Sequence, residues 1–196
     1  MKRAGVLALQ GAVSEHCNAL ASVGVEGRLV RTPKDLDSLD ALIIPGGEST
    51  AISRMITQNG LRSPIKSFAK DKPVMGTCAG LILCAAEITG ADGAQARPGA
   101  PLVEPLGLMP ICAHRNGFGR QVESFEAPLA IEGIGSDIPA VFIRAPYIER
   151  AQPEVKILAH VEDKAVVAQY GKVLALSFHP ELSDDLRIME YFCRTA

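Results

Sequence analysis

Apolar and polar positions follow two alternating rhythms over the first 90 residues. Residues 4–11, AGVLALQG, form an unbroken apolar run closed by glycine, the pattern of a strand buried on both faces. Residues 13–24, VSEHCNALASVG, space their apolar positions three and four apart and end on Gly24, which predicts a helix. GRLVRTP (27–33) and DALIIPGG (40–47) read as the second and third strands. ESTAISRMITQNG (48–60) then predicts a helix with Ser49 or Thr50 as its cap. KPVMGTC (72–78) is a fourth strand, and AGLILCAAEI (79–88) the helix after it.

This βαβα rhythm predicts a parallel sheet with helices on both faces, whose ligands gather at the carboxyl ends of the strands. The second half changes character. TGADGAQARPGAP (89–101) reads as an exposed loop. Strands are expected near 107–112, 119–125, 140–144, 155–161, 165–170 and 173–178, as a partly antiparallel extension. The tail SDDLRIMEYFCRTA (183–196) carries a Ser-Asp cap and helical spacing, so it reads as a closing helix. With no internal repeat or linker, residues 1–196 are expected to form one domain.

Composition narrows the class. Hydrophobic residues make up 47% and charged residues 21%, a balance that favours a globular chain over a disordered one. A formal net charge of −2 offers no electrostatic footprint for nucleic acid or an anionic membrane. The basic start, MKRAGVLALQ, resembles a leader, but Glu15 and His16 follow its short apolar run at once. A buried strand and a cytoplasmic location are the expectation. The cysteines (Cys17, Cys78, Cys84, Cys112 and Cys193) form no CxxC pair, so neither zinc nor a disulfide framework is indicated.

GTCAG (76–80) has the form G-x-C-x-G, a nucleophile elbow with cysteine at its apex. A sharp strand-to-helix turn crowds the backbone, so glycine flanks the nucleophile, which then sits at a helix N-terminus where a thiolate is favoured. Two readings stand for Cys78, an ordinary buried thiol or a nucleophile; the strand before it and the helix after it favour the second. The N–H of Ala79 would face a developing oxyanion. A thiol nucleophile needs a base and the base an orienter. His179 lies just past the apolar run VLALSF, and Glu181 follows two residues on, on the same side of an extended segment. His16 falls in a helical pattern and reads as a surface or capping residue, while His114 and His160 show no comparable acidic partner.

The glycines of IIPGGEST would let backbone N–H groups approach a ligand closely, with Gly47 as a second oxyanion donor and Glu48 near enough to receive an ammonium group. Arg115 and Arg120 lie among the glycines of HRNGFGRQVESFE, and Arg144 ends the run VFIR. Arginine forks suit carboxylates, although loop arginines are commonly just solvated.

Together GVLALQGAVSEH, IIPGGEST, GTCAGLIL, RNGFGRQVESFE, FIRAP and LSFHPEL span nearly the whole chain. In this order they resemble the class I (triad-type) glutamine amidotransferases. Within these, LQG…EH, PGGEST and RNGFGRQ…SFE are most similar to the glutaminases of pyridoxal 5′-phosphate synthase. The resemblance implies an α/β, flavodoxin-like sandwich, with a mostly parallel central sheet, helices on both faces and an antiparallel extension. It implies Cys78, His179 and Glu181 as the triad. Gly46, Gly47, Glu48, Arg115, Ile143 and Arg144 would bind L-glutamine, with the oxyanion hole assigned to Gly47 and Ala79. It implies no cofactor and no metal. The partner it implies is a (β/α)₈-barrel synthase subunit, in a dodecameric core decorated by glutaminases. That subunit takes the ammonia and builds pyridoxal 5′-phosphate from ribose 5-phosphate and glyceraldehyde 3-phosphate. Low activity in isolation, with rotation of the peptide near Gly46–Gly47 on docking, is the corresponding expectation.

Overall fold

A computed structural model describes residues 2–90, 103–118 and 124–195. The first half runs β1 (Arg3–Leu7), α1 (Val13–Ser22), β2 (Glu26–Val30), β3 (Ala41–Ile44), α2 (Ser49–Gln58), α3 (Arg62–Asp71), β4 (Val74–Thr77) and α4 (Ala79–Cys84). The second half runs β5 (Ala85–Thr89), β6 (Met109–His114), β7 (Ser124–Ile131), β8 (Gly135–Ile143), β9 (Tyr147–Ala151), β10 (Lys156–Val161), β11 (Lys164–Tyr170), β12 (Val173–Leu176) and α5 (Arg187–Arg194). Single turns of 3₁₀ helix lie at Pro33–Leu36 and Pro180–Leu182.

Among the described residues one large sheet has the order β2-β1-β3-β4-β12-β11-β9-β6-β5, with β10 on β11. The strands from β2 to β12 are mutually parallel. Antiparallel pairing then joins β12 through β11 and β9 to β6. The hairpin β7–β8 forms a separate two-stranded sheet.

The apolar runs of the first half are explained by burial on two sides. In β3, Leu42 and Ile44 enter one core while Ala41 and Ile43 enter the other. The side chains alternate across the pleat, so a strand covered on both faces is apolar at every position. Ile52 and Ile56 of α2 and Ile65 of α3 close the first core. Leu20 of α1 with Ile188, Met189 and Phe192 of α5 close the second. The α/β architecture expected from the sequence is therefore present.

Several local expectations change. The helix expected over 79–88 stops at Cys84, and residues 85–89 pair with β6 as a strand. Ile88 and Thr89 are β-branched and favour that outcome, which a continuous apolar run conceals. α3 was not expected, since RSPIKSFAKD buries only Ile65 fully; Pro64 is tolerated because it lies in the first turn. β9 was also missed. The α5 cap is not a Ser-Asp pair: the N-cap is Leu186, with no side-chain cap bond, and Asp185 before it accepts the Arg187 N–H at 3.0 Å. Most of the loop expected over 89–101, and residues 119–123 of the strand expected at 119–125, lie outside the described residues.

Candidate active site

The elbow at Cys78 is built by exclusion of side chains. A Cβ at Gly76 would lie 2.5 Å from the Gly80 carbonyl oxygen, and one at Gly80 would lie 2.0 Å from that of Ile44. Both flanking positions therefore require glycine, as the motif implies. Cys78 itself takes φ 50° and ψ −104°, a conformation that costs an L-residue energy and marks a strained turn. Its N–H donates to the Leu176 carbonyl of β12 at 2.8 Å, and its Sγ lies 3.8 Å from the Ile143 carbonyl oxygen. The Ala79 N–H opens α4, where no intrahelical acceptor exists.

His179 reaches the same place from the neighbouring strand. β12 runs parallel to β4 with Leu176 opposite Thr77, so both chains leave the sheet together at its carboxyl edge. His179 Nδ1 lies 2.8 Å from Oε1 of Glu181, whose side chain is fully buried. The pairing is as expected, but its geometry differs. Pro180–Leu182 is a 3₁₀ turn, not an extended segment, and the turn brings Glu181 back onto the ring. Burial alone would push the His179 pKa down. Hydrogen bonds with Cys78 and Glu181, reinforced by their charges, outweigh it and raise the value to about 10. The ring thus holds a proton at neutral pH beside the sulfur.

His16 corrects the sequence reading most sharply. It is fully buried, neither a surface nor a capping residue. Its Nε2 lies 3.2 Å from Thr77 Oγ1 and 3.4 Å from Glu181 Oε2. The available signal was Leu20, four residues on and fully buried: positions i and i+4 share one helix face, and that face is the packed one. His114, read as having no comparable strand-end acidic partner, lies 3.9 Å from Glu149 and bonds Thr89 at 3.3 Å, outside the residues that line the cavity at Cys78.

A cavity of about 520 Å³ opens in front of the sulfur. It brings together Gly47, Glu48, Cys78, Ala79, Arg115, Ile143, Arg144 and His179 from the sequence-derived set. Gly46 lies behind them: a Cβ there would sit 2.4 Å from His179 Cε1. Arg120 lies outside the described residues. Glu48, not Ser49 or Thr50, caps α2, accepting the N–H groups of Thr50 at 2.9 Å and Ala51 at 2.6 Å. Burial would raise its pKa, but those two N–H bonds and the Arg115 guanidinium, 3.6 Å away, bring it below the ordinary carboxylate value. Gln10 and Asn116, which lie within the stretches LQG and RNGFGRQ but were given no role, also line the cavity. Gln10 follows the end of β1 and accepts the Glu48 N–H at 3.0 Å, tying the first strand's loop to PGGE.

The model of the SNO glutamine amidotransferase family matches residues 6–196. The pyridoxal 5′-phosphate synthase subunit PdxT of Geobacillus kaustophilus is 51% identical over 190 residues, covering 96% of this chain and 91% of that protein. The protein of the same name from Halalkalibacterium halodurans is 49% identical over 193 residues, covering 98% and 93%. A solved glutamine amidotransferase structure superimposes with a TM-score of 0.89 at 43% identity, covering 98% of this chain and 97% of that one. With elbow, histidine and carboxylate in place across this shared length, the chain belongs to the SNO glutamine amidotransferase family.

Proposed function

We propose that this chain is the glutaminase of a pyridoxal 5′-phosphate synthase and that Cys78, His179 and Glu181 are its triad. Glu181 holds the His179 ring through Nδ1, leaving Nε2 for the sulfur. The Cys78 thiolate attacks the side-chain amide carbon of L-glutamine, and backbone N–H groups of Ala79 and Gly47 receive the oxyanion. His179 gives its proton to the nitrogen as the C–N bond breaks and ammonia leaves. Water, deprotonated by His179, then cleaves the glutamyl thioester and frees glutamate. Arg115, Arg144 and Glu48 supply both signs of charge around the cavity, which suits the α-carboxylate and α-ammonium of glutamine. Gly46 and Ile143 complete the binding set.

The observation that carries this reading is the 2.8 Å Glu181–His179 bond beside a strained Cys78 at the mouth of a charged cavity. The ammonia passes to a (β/α)₈-barrel synthase subunit, in a dodecameric core decorated by glutaminases, which assembles pyridoxal 5′-phosphate from ribose 5-phosphate and glyceraldehyde 3-phosphate. Docking activates the site by reorienting the Gly46–Gly47 peptide. The whole chain acts as one unit, and no cofactor or metal enters the chemistry. Its cysteines are free thiols, which suits the reducing cytoplasm. No described helix is long and apolar enough to cross a membrane.

Glutamine hydrolysis measured with and without the synthase subunit tests the reading. Turnover should rise on adding the partner, and Cys78→Ala should abolish it while still binding the partner. Full activity in that variant would overturn the assignment.

A further inference from the structure

Glu181 lies between two histidines, and the mechanism uses only one of them. Its Oε1 meets His179 Nδ1 at 2.8 Å. Its Oε2 faces His16 Nε2 at 3.4 Å, from the helix that follows β1. The same Nε2 is 3.2 Å from the hydroxyl of Thr77, the residue directly before Cys78. All three side chains are buried. His16 therefore bridges the strand that presents the nucleophile and the turn that presents the base.

We infer that His16 is a positioning residue of the triad: its Nε2–H, hydrogen-bonded to Thr77 Oγ1, faces Glu181 Oε2 and holds the carboxylate by electrostatic attraction so that Oε1 stays on His179. The inference rests on the triad assigned above. Two observations select the tautomer. Among the described residues His16 Nδ1 has no hydrogen-bond partner, so a proton there would be a buried, unpaired donor. That tautomer would also turn the Nε2 lone pair toward a carboxylate oxygen that makes no aligned hydrogen bond of its own. Placing the proton on Nε2 removes both penalties at the cost of an unpaired acceptor, the milder defect.

The ring acts as a neutral donor. Burial pushes its pKa down, against the pull of the Glu181 charge, and His179 adds to the lowering; Glu15, on its own helix, pulls weakly upward. Thr77, its neighbour from β4, carries no charge. A neutral His16 orients Glu181 without drawing its charge away from His179. A buried carboxylate oxygen that loses the N–H dipole facing it takes up a proton more readily. Loss of His16 should therefore weaken the hold on His179 first at acidic pH.

The test compares His16→Leu and His16→Gln with wild type, in complex with the synthase subunit, as pH profiles of kcat and kcat/KM for glutamine. His16→Leu should lower kcat on the order of 10-fold. Its acidic limb should move up by about one pH unit, with little change in KM. His16→Gln, which keeps an N–H donor, should recover much of the loss. A uniform loss with an unmoved acidic limb, or wild-type kcat in His16→Leu, overturns the inference. A wild-type measurement needs no variant to fold: nitrogen-15 spectra of the full chain should show His16 neutral with its proton on Nε2 throughout the active pH range. A proton on Nδ1, or a second proton gained in that range, overturns it equally. Cys78→Ala separates the two levels. If that variant keeps full turnover, the triad reading fails; if it is inactive while the His16 variants are normal, only the positioning role fails.

Discussion

The His179 ring occupies space that only glycine at position 46 leaves free. A Cβ there would lie 2.4 Å from His179 Cε1 and 3.3 Å from Cys78 Cβ. Gly46 does not have the left-handed φ of Gly47, so alanine is acceptable to its backbone; the conflict falls chiefly on the ring, with a lesser one against Cys78 Cβ. Gly46→Ala should fold and melt near wild type while losing glutamine turnover on the order of 100-fold, as expected for a displaced base. Steady-state kinetics beside a thermal melt checks this.

Cys78 and Cys84 should differ sharply toward alkylation. Cys84 is wholly enclosed, and burial pushes its thiol up to about 12, so it offers almost no thiolate at neutral pH. Cys78 lies at the cavity with His179 beside it. Limiting iodoacetamide followed by peptide mass spectrometry should find the label on Cys78 and none on Cys84, and glutamine should protect the labelled site.

Alkali should remove part of the stability that His179 contributes. Its folded-state pKa, about 10, lies above the ordinary 6.5, so folding takes up the proton. The contribution is complete below about 6.5 and fades as pH rises through 10. In urea unfolding, the difference between wild type and His179→Asn should be largest near pH 6 and shrink toward pH 10. A difference that grows with pH would contradict the direction of the shift.

Glu48 has two duties that one substitution should expose together. It caps α2 through two backbone N–H bonds and lines the cavity opposite Arg115. Glu48→Ala should cost about 1 kcal/mol in urea unfolding, a typical cap loss. It should also raise KM for glutamine. Glu48→Gln, which retains one acceptor oxygen, should keep most of the stability and less of the affinity.

What the sequence made legible follows from where physics leaves a local trace. The elbow could be read because its crowding falls on Gly76 and Gly80, two positions within one pentapeptide. The apolar strands could be read because both of their faces are covered. β5 could not, because AGLILCAAEI is apolar throughout and only pairing with β6 decides where helix ends and strand begins. The α2 cap was misplaced because serine and threonine are the usual caps, whereas here the preceding glutamate reaches forward to the free N–H groups of Thr50 and Ala51. His16 was misread because its burial is decided by Thr77 and Glu181, partners far away in sequence. His179 and Glu181 were paired correctly, though by a turn where an extended segment was expected.

The parallel pairing of β4 with β12 also governs when the thiol becomes dangerous. During synthesis the elbow leaves the ribosome about a hundred residues before its histidine does. Until residues 173–182 arrive, the nascent chain lacks the strand whose Leu176 carbonyl receives the Cys78 N–H, and lacks the ring beside the sulfur. On the proposed triad the site is thus assembled last, by the final described strand, and a chain truncated before that strand would carry Cys78 without the means to spend glutamine.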